Sequence, residues 1–84
     1  MTRVLAKDLG RKGIHVNCVS PGPTGTDMFF AGKSEELVSR IAAQTPAERL
    51  GTPEEVAGAV RFLVGEEAAW VNGQNIRVNG GMAV

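Results

Sequence analysis

The segment that decides the fold reads Asn17-Cys18-Val19-Ser20-Pro21-Gly22-Pro23-Thr24-Gly25-Thr26-Asp27-Met28. It begins at the end of an apolar, β-branched run, Ile14–Val19, which predicts a buried strand. Pro21-Gly22 ends that strand, because proline lacks a backbone donor and glycine permits backbone angles that other residues avoid. Small and hydroxyl-bearing residues follow. Since ligands of open α/β sheets lie at the carboxyl ends of strands, this loop is predicted to face a ligand.

Three helices are predicted around this strand. Apolar residues recur at helical spacing over the first nine positions, and Gly10 ends that pattern. Ser34 is predicted to cap a second helix, which Pro46 stops. In Thr52-Pro53-Glu54-Glu55 the threonine is an N-cap, the proline takes the first helical position and Glu55 completes a capping box. The third helix is predicted to end near Gly65, and its buried side is predicted to consist of Val56, Val60, Phe62, Leu63 and Val64.

A second strand is predicted at Asn75–Val78, after a turn at Asn72-Gly73. Two strands separated by helices imply a parallel pair and an α/β fold. The outer edge of the first strand, Ile14–Val19, would then be bare, and a bare apolar edge needs a partner. The chain is therefore predicted to form an oligomer or a domain-swapped assembly, or else to be poorly folded as a free chain.

Composition restricts the classes of function. The chain has 84 residues, of which 43% are apolar, with nine basic and nine acidic side chains. This predicts one small globular domain and gives no sign of a nucleic-acid or membrane partner. Its apolar runs are too short to span a bilayer, and no secretory signal is visible, so a cytoplasmic location is the default prediction. The single Cys18 is interpreted as a small buried thiol, and Trp70 as a core or interface anchor.

Four separated blocks of the sequence resemble the short-chain dehydrogenases/reductases. They are Asn17-x-Val19-x-Pro21-Gly22 with Thr26 and Met28, then Arg49-Leu50-Gly51-Thr52-Pro53-Glu54-Glu55-Val56-Ala57 with Phe62-Leu63, then Asn72-Gly73-Gln74, and finally Val78-Asn79-Gly80-Gly81. The blocks cover essentially the whole chain in order, but they match only the C-terminal third or so of the family. The resemblance implies one partial domain over residues 1–84: the C-terminal part of a Rossmann-like parallel sheet, with about two strands and three to four helices.

The resemblance also implies a cofactor, NAD or NADP, and a set of site residues. Pro21 and Gly22 resemble the loop beneath the nicotinamide ring. Thr24 matches the position whose backbone bonds the carboxamide, where the family more often has valine or isoleucine, and Thr26 matches a hydroxyl that helps to hold it. A mobile segment that lines the substrate pocket is matched by Met28, Phe29 and Phe30. From local sequence alone, the alternative is that Pro21-Gly22 only ends a strand and that the threonines are ordinary loop residues without a ligand.

The catalytic positions of the resembled family have no counterpart in these 84 residues. The family uses a tyrosine as general acid/base, a lysine that lowers its pKa, a serine and a glycine-rich turn that binds the pyrophosphate. The sequence contains no tyrosine, no glycine-rich turn of dinucleotide spacing, and no serine at the catalytic position. One histidine and one cysteine cannot form a metal site within the chain. No catalytic or metal-binding residue is therefore predicted, and the isolated chain is expected to be inactive and to bind cofactor weakly or not at all.

Three hypotheses follow. In the first, the chain is part of an NAD(P)-dependent carbonyl or alcohol oxidoreductase that acts only with an N-terminal portion. In the second, it is a non-catalytic assembly module, because the helix Pro53–Val64 and the strand Asn75–Val78 match a family oligomer interface; a homo-oligomer is expected. In the third, it is a truncated or internally initiated product without a role of its own, since Met1 matches an internal family position.

Overall fold

The computed structural model describes residues 1–82 and shows an α/β chain. The last two residues of the predicted domain lie outside the described residues. The elements are α1 (Thr2–Gly10), β1 (Cys18–Pro21), α2 (Asp27–Phe30), α3 (Glu35–Ala43), α4 (Pro53–Val64), a 3₁₀ turn (Glu66–Ala68) and β2 (Asn75–Val78). The predicted fold class, part of a Rossmann-like parallel sheet with three to four helices, agrees with this arrangement.

The two strands form a parallel sheet, as predicted. Cys18 pairs with Asn75 at one end and Pro21 with Val78 at the other, so the carboxyl ends of both strands lie at the same edge of the sheet. Helix α4 packs against both strands. The loop after β1 therefore leaves the sheet at its carboxyl edge.

Strand β1 is shorter than predicted, because it begins at Cys18 and not at Ile14. Before Cys18, side-chain amides interrupt the regular ladder, although the Gly73 N–H still donates to the Val16 carbonyl at 2.9 Å. Asn17 Nδ2 donates to the Val71 carbonyl at 3.0 Å, and Asn17 Oδ1 accepts from the Gln74 N–H at 3.0 Å. These two bonds give Asn17 a structural role, because its side chain holds neighbouring stretches of backbone together.

Asn72 makes the matching connection from the other side. Its Oδ1 accepts from the Val16 N–H at 2.9 Å, and its Nδ2 donates to the Ala6 carbonyl of α1 at 3.1 Å. Gly73 follows with a φ of 75°, in the left-handed region that glycine adopts without a steric cost. The predicted turn at Asn72-Gly73 thus ties the first helix, the approach to β1 and the start of β2.

The helix starts are as predicted from their caps. Ser34 Oγ accepts from the Leu37 N–H at 3.2 Å, which starts α3. Thr52 Oγ1 accepts from the Glu55 N–H at 3.1 Å, and a Glu55 carboxylate oxygen accepts from the Thr52 N–H at 3.0 Å. This reciprocal pair is the predicted capping box, and α4 runs from Pro53 to Val64 as expected.

The predictions of burial were wrong in several places. Val60 and Phe62 are exposed, and Val64 is 81% exposed. Trp70 is 99% exposed, which rules out a core position within the described chain and leaves its interpretation as an interface anchor a prediction. Cys18 is also exposed and not a buried thiol. A two-stranded sheet within residues 1–82 offers too little surface to cover these side chains. The radius of gyration, 15.5 Å, exceeds the roughly 12 Å expected for a compact domain of this length.

Candidate functional site

A surface cavity of about 440 Å³ lies at the carboxyl end of β1. Its lining residues are Pro21, Gly22, Thr24, Thr26, Met28, Phe29, Pro53 and Val56. Six of the seven site residues predicted from the sequence therefore border one space. The seventh, Phe30, is not among the lining residues; its ring lies beside Gly25 and meets the Phe29 ring edge to face, with 5.7 Å between the centroids.

Gly22 is required by the close approach of the two strand ends. Its N–H donates to the Val78 carbonyl at 2.9 Å. A Cβ atom built on Gly22 would lie 2.6 Å from Cβ and 2.8 Å from Cα of Asn79, too close for any side chain without backbone movement. This contact is a packing reason for glycine in the Pro21-Gly22 pair, independent of any ligand.

Thr24 is held in a short parallel bridge with Gly51. The bonds of that bridge are made by its neighbours: the Gly25 N–H donates to the Gly51 carbonyl and the Gly51 N–H to the Pro23 carbonyl, each at 2.9 Å. In this pattern the backbone N–H of Thr24 points away from Gly51. The Thr24 hydroxyl donates to the Gly22 carbonyl at 2.9 Å, so its proton already has an acceptor within the loop.

Thr26 caps a short helix that was not predicted. Its Oγ1 accepts from the Phe29 N–H at 3.1 Å, and its carbonyl accepts from the Phe30 N–H at 3.0 Å. A threonine followed by Asp27 in the first turn is a recognisable N-cap signal, and it could have predicted α2. Because capping uses a lone pair of the hydroxyl, its O–H can still donate to another group.

The start of α4 supplies the opposite wall, through Pro53 and Val56. The sequence interpretation gave α4 a buried side and an interface, and it missed this contribution to the cavity. Below the wall, Arg49 and Glu55 form a two-point ion pair, with Nη1–Oε1 at 2.8 Å and Nη2–Oε2 at 2.9 Å. The Arg49 guanidinium and the backbone N–H of Thr52 together lower the pKa of the Glu55 carboxyl to about 2.

The eight lining residues carry no ionisable side chain. The cavity can therefore offer apolar contact and hydrogen bonds from an amide or a hydroxyl, but these side chains cannot transfer a proton as a general acid or base. Among residues 1–82, no group of three histidine, cysteine, aspartate or glutamate side chains is arranged to hold a metal ion.

The profile of the family described as enoyl-(acyl carrier protein) reductase matches residues 1–83. A "short-chain type dehydrogenase/reductase" of Picea abies is 56% identical over 81 residues. The chain belongs to the short-chain dehydrogenase/reductase family. The resemblance drawn from the four sequence blocks is thereby confirmed.

Other members of this family are similar to the chain. A protein of Arabidopsis thaliana named "NADPH-dependent aldehyde reductase-like protein, chloroplastic" is 53% identical, and the 3-oxoacyl-[acyl-carrier-protein] reductase FabG of Vibrio cholerae is 44% identical. These matches, and that of Picea abies, cover 96% of this chain but only 30% to 33% of each relative. The chain thus spans about a third of the length of these dehydrogenases/reductases.

No helix within residues 1–82 is long and apolar enough to cross a membrane. The names of two Arabidopsis thaliana relatives place those proteins in the chloroplast. The predicted cytoplasmic location of this chain stays a prediction.

Proposed function

We propose that this chain, as a partial domain, forms the nicotinamide-side wall of an NAD(P)-dependent carbonyl reductase or alcohol dehydrogenase. The observation that carries the proposal is the cavity at the end of β1, which gathers Pro21, Gly22, Thr24 and Thr26 beside Met28 and Phe29. Membership of the short-chain dehydrogenase/reductase family supports NAD(P) as the cofactor. The names of NADPH-dependent aldehyde reductases among the relatives favour an aldehyde as substrate.

Each wall residue has a role that its geometry allows. The Thr24 N–H, directed away from Gly51, would donate to the oxygen of the nicotinamide carboxamide. The Thr26 hydroxyl would donate to the same group while it caps α2. Pro21 and Gly22 would lie against the ring, and the apolar side chains of α2 would contact the substrate. When bound, the cofactor supplies or accepts the hydride.

Proton transfer and pyrophosphate binding are assigned to residues outside this chain. The sequence has no tyrosine, and the cavity has no ionisable side chain to act as acid or base. We therefore infer that the chain is inactive alone and acts when the rest of the family's fold is supplied. A carboxamide site without its pyrophosphate site would bind cofactor weakly.

The experiment uses a chimera in which residues 1–84 replace the matching segment of the Picea abies relative. Oxidation of NADPH and NADH is followed with a panel of aldehydes and ketones, for the chimera and for the chain alone. Turnover by the chimera and none by the chain is the expected result. A chimera that unfolds as cooperatively as the parent enzyme but does not turn over, or a chain that turns over alone, contradicts the proposal.

A second candidate function is assembly, and it is favoured by exposed apolar side chains on α4 and shortly after it. Val60, Phe62 and Val64 on α4 are exposed, and so is Trp70. We propose a homo-oligomer through the helix Pro53–Val64 and the strand Asn75–Val78, with the segment Ile14–Val19 as a further edge. Burial of these side chains would offset the small core of the single chain.

The oligomer is tested by light scattering after size exclusion. We expect a mass of two or more chains, and Phe62→Gln should shift it toward the monomer because it removes an apolar contact from α4. Val4→Gln, a change to an exposed apolar residue of α1, is the matched control and should leave the mass unchanged. A monomeric parent chain with a sharp thermal transition would contradict this candidate.

A further inference from the structure

Phe29 is held from several sides where it lines the cavity. Its N–H donates to Thr26 Oγ1 at 3.1 Å, and its carbonyl accepts from Lys33 Nζ at 2.6 Å. The same ammonium lies over the Phe29 ring, 4.5 Å from the centroid. The neighbouring Met28 is 88% exposed. Of these two apolar residues of α2 that line the cavity, Phe29 is thus the one whose backbone and ring are both fixed by a charged side chain.

The turn after α2 brings Lys33 back to the helix. Gly32 has a φ of 73°, which reverses the chain, and the Lys33 N–H then donates to the Phe30 carbonyl at 3.1 Å. Lys33 therefore satisfies two of the last carbonyls of α2, one with its backbone and one with its ammonium. A positive charge at the carboxyl end of a helix is also favourable. In so short a helix, these bonds and the Thr26 cap fix both ends.

We propose that Lys33 is a positioning residue: it fixes Phe29 as a wall of the cavity and thereby limits the bulk of the substrate that the cavity admits. The inference rests on the proposed function, because it assigns substrate selectivity to the same cavity. Lys33 is not among the lining residues, so it acts through Phe29 and not by contact with the substrate.

The contact itself is tested first on the chain as it stands. The ε-methylene protons of Lys33 should be shifted upfield by the ring current of Phe29 in the NMR spectrum of the ¹³C-labelled chain. Phe29→Leu should abolish that shift, whereas Phe30→Leu should keep it. Lys33 signals at the positions of a free lysine in the parent chain would overturn the inference.

The effect on selectivity is measured in the chimera described above. Lys33→Met keeps the length of the side chain but removes the ammonium, so Phe29 can move from the wall. The ratio of kcat/KM for a small aldehyde to that for a branched or aromatic aldehyde should fall about fivefold, mainly through KM of the bulky substrate. Lys33→Arg, which keeps a donor and stacks on aromatic rings, should restore the ratio to within about twofold.

Lys12→Met is the matched control. Its side chain lies in the turn after α1 and has no hydrogen bond or ion pair in the described part of the chain. An active chimera in which Lys33→Met and Lys12→Met give the same selectivity overturns the inference and leaves the proposed function standing. An inactive parent chimera counts against the proposed function, and the ring-current result then decides whether Lys33 positions Phe29.

Discussion

Gly22 lies where the end of β1 approaches Asn79, the residue after β2. Gly22→Ala would place a methyl group 2.6 Å from Asn79 Cβ, so the two strand ends must move apart. We expect the free energy of unfolding to fall by about 1–3 kcal/mol, the usual cost of overpacking. The measurement is urea unfolding, monitored by circular dichroism.

Gly58→Ala is the control for this substitution. Gly58 lies inside α4, and apart from its chain neighbours and the backbone of the helix, the nearest atom to an added methyl group is the flexible end of Arg61, at 3.6 Å. Alanine should stabilise the helix by about 0.5–1 kcal/mol, because glycine loses more backbone freedom on folding. Equal losses of stability for the two alanine variants would show that the approach to Asn79 is not tight.

The Glu55 carboxyl makes the free energy of unfolding depend on pH in the acid range. Its carboxyl has a pKa of about 2 in the folded chain against an ordinary value of 4.5, so between these values the unfolded chain binds more protons. The contribution of the Arg49–Glu55 pair is therefore fully present above about pH 4.5 and is lost as the pH falls toward 2.

Glu55→Gln removes this pH-dependent contribution. Over the same interval the midpoint of thermal unfolding should fall less steeply in Glu55→Gln than in the parent chain. Glu54→Gln is the control, because Glu54 has no ion pair in the part of the chain that the structure describes. If the slopes of the parent and Glu55→Gln coincide, the ion pair does not stabilise the folded chain.

Among the elements, α4 depends on its capping box, which stabilises the first turn of the helix. That turn also forms one wall of the cavity. Thr52→Ala removes the hydroxyl that accepts from the Glu55 N–H. We expect a loss of about 1 kcal/mol in the free energy of unfolding, typical of an N-cap threonine. Thr2→Ala is the control, since the Thr2 hydroxyl makes no bond within residues 1–82. A loss as large for Thr2→Ala would contradict this role.

The elements show which parts of the fold are readable from sequence. The caps at Ser34 and Thr52, the turn at Asn72-Gly73 and strand β2 are set by local chemistry, so the sequence predicted them. The predicted start of β1 was wrong because the side chains of Asn17 and Asn72 form hydrogen bonds with backbone groups more than 50 residues away in the sequence. Helix α2 was missed although its cap signal is local, since its four residues show no apolar periodicity.

For the candidate site, the break at the end of the first predicted strand predicted that this loop faces a ligand, and the family resemblance supplied the individual site residues. The sequence could not predict Pro53 and Val56, because their place opposite the loop depends on how α4 packs on the sheet. It could not predict the Lys33 contact either, since that needs the reversal at Gly32. The hydrogen bonds that the Thr24 and Thr26 hydroxyls make within the loop and with α2 also depend on the loop geometry, so the sequence could not predict them.

At the scale of the whole molecule, burial is the property that the sequence predicted least well. Apolar periodicity predicts which face of a helix avoids water, but not whether anything in the same chain covers it. Val64, the last residue of the proposed interface helix, is the clearest case, and Trp70, a little further along the chain, is exposed as well. The elongated shape, 49 × 23 × 23 Å along the principal axes, and these exposed side chains support the proposals that the chain functions with further protein, either the rest of the enzyme or other copies.

We propose that the backbone of Thr24 belongs to a nicotinamide site, and the substitution Thr24→Pro separates this backbone from the side chain. Proline removes the backbone N–H of residue 24, which takes no part in the bridge with Gly51. Thr24→Val keeps that N–H and removes only the hydroxyl. The measurement is the dissociation constant of NADPH for the two chimera variants. We expect a constant about tenfold higher for Thr24→Pro and within about twofold of the parent for Thr24→Val. Equal binding of NADPH by both variants would contradict the proposal.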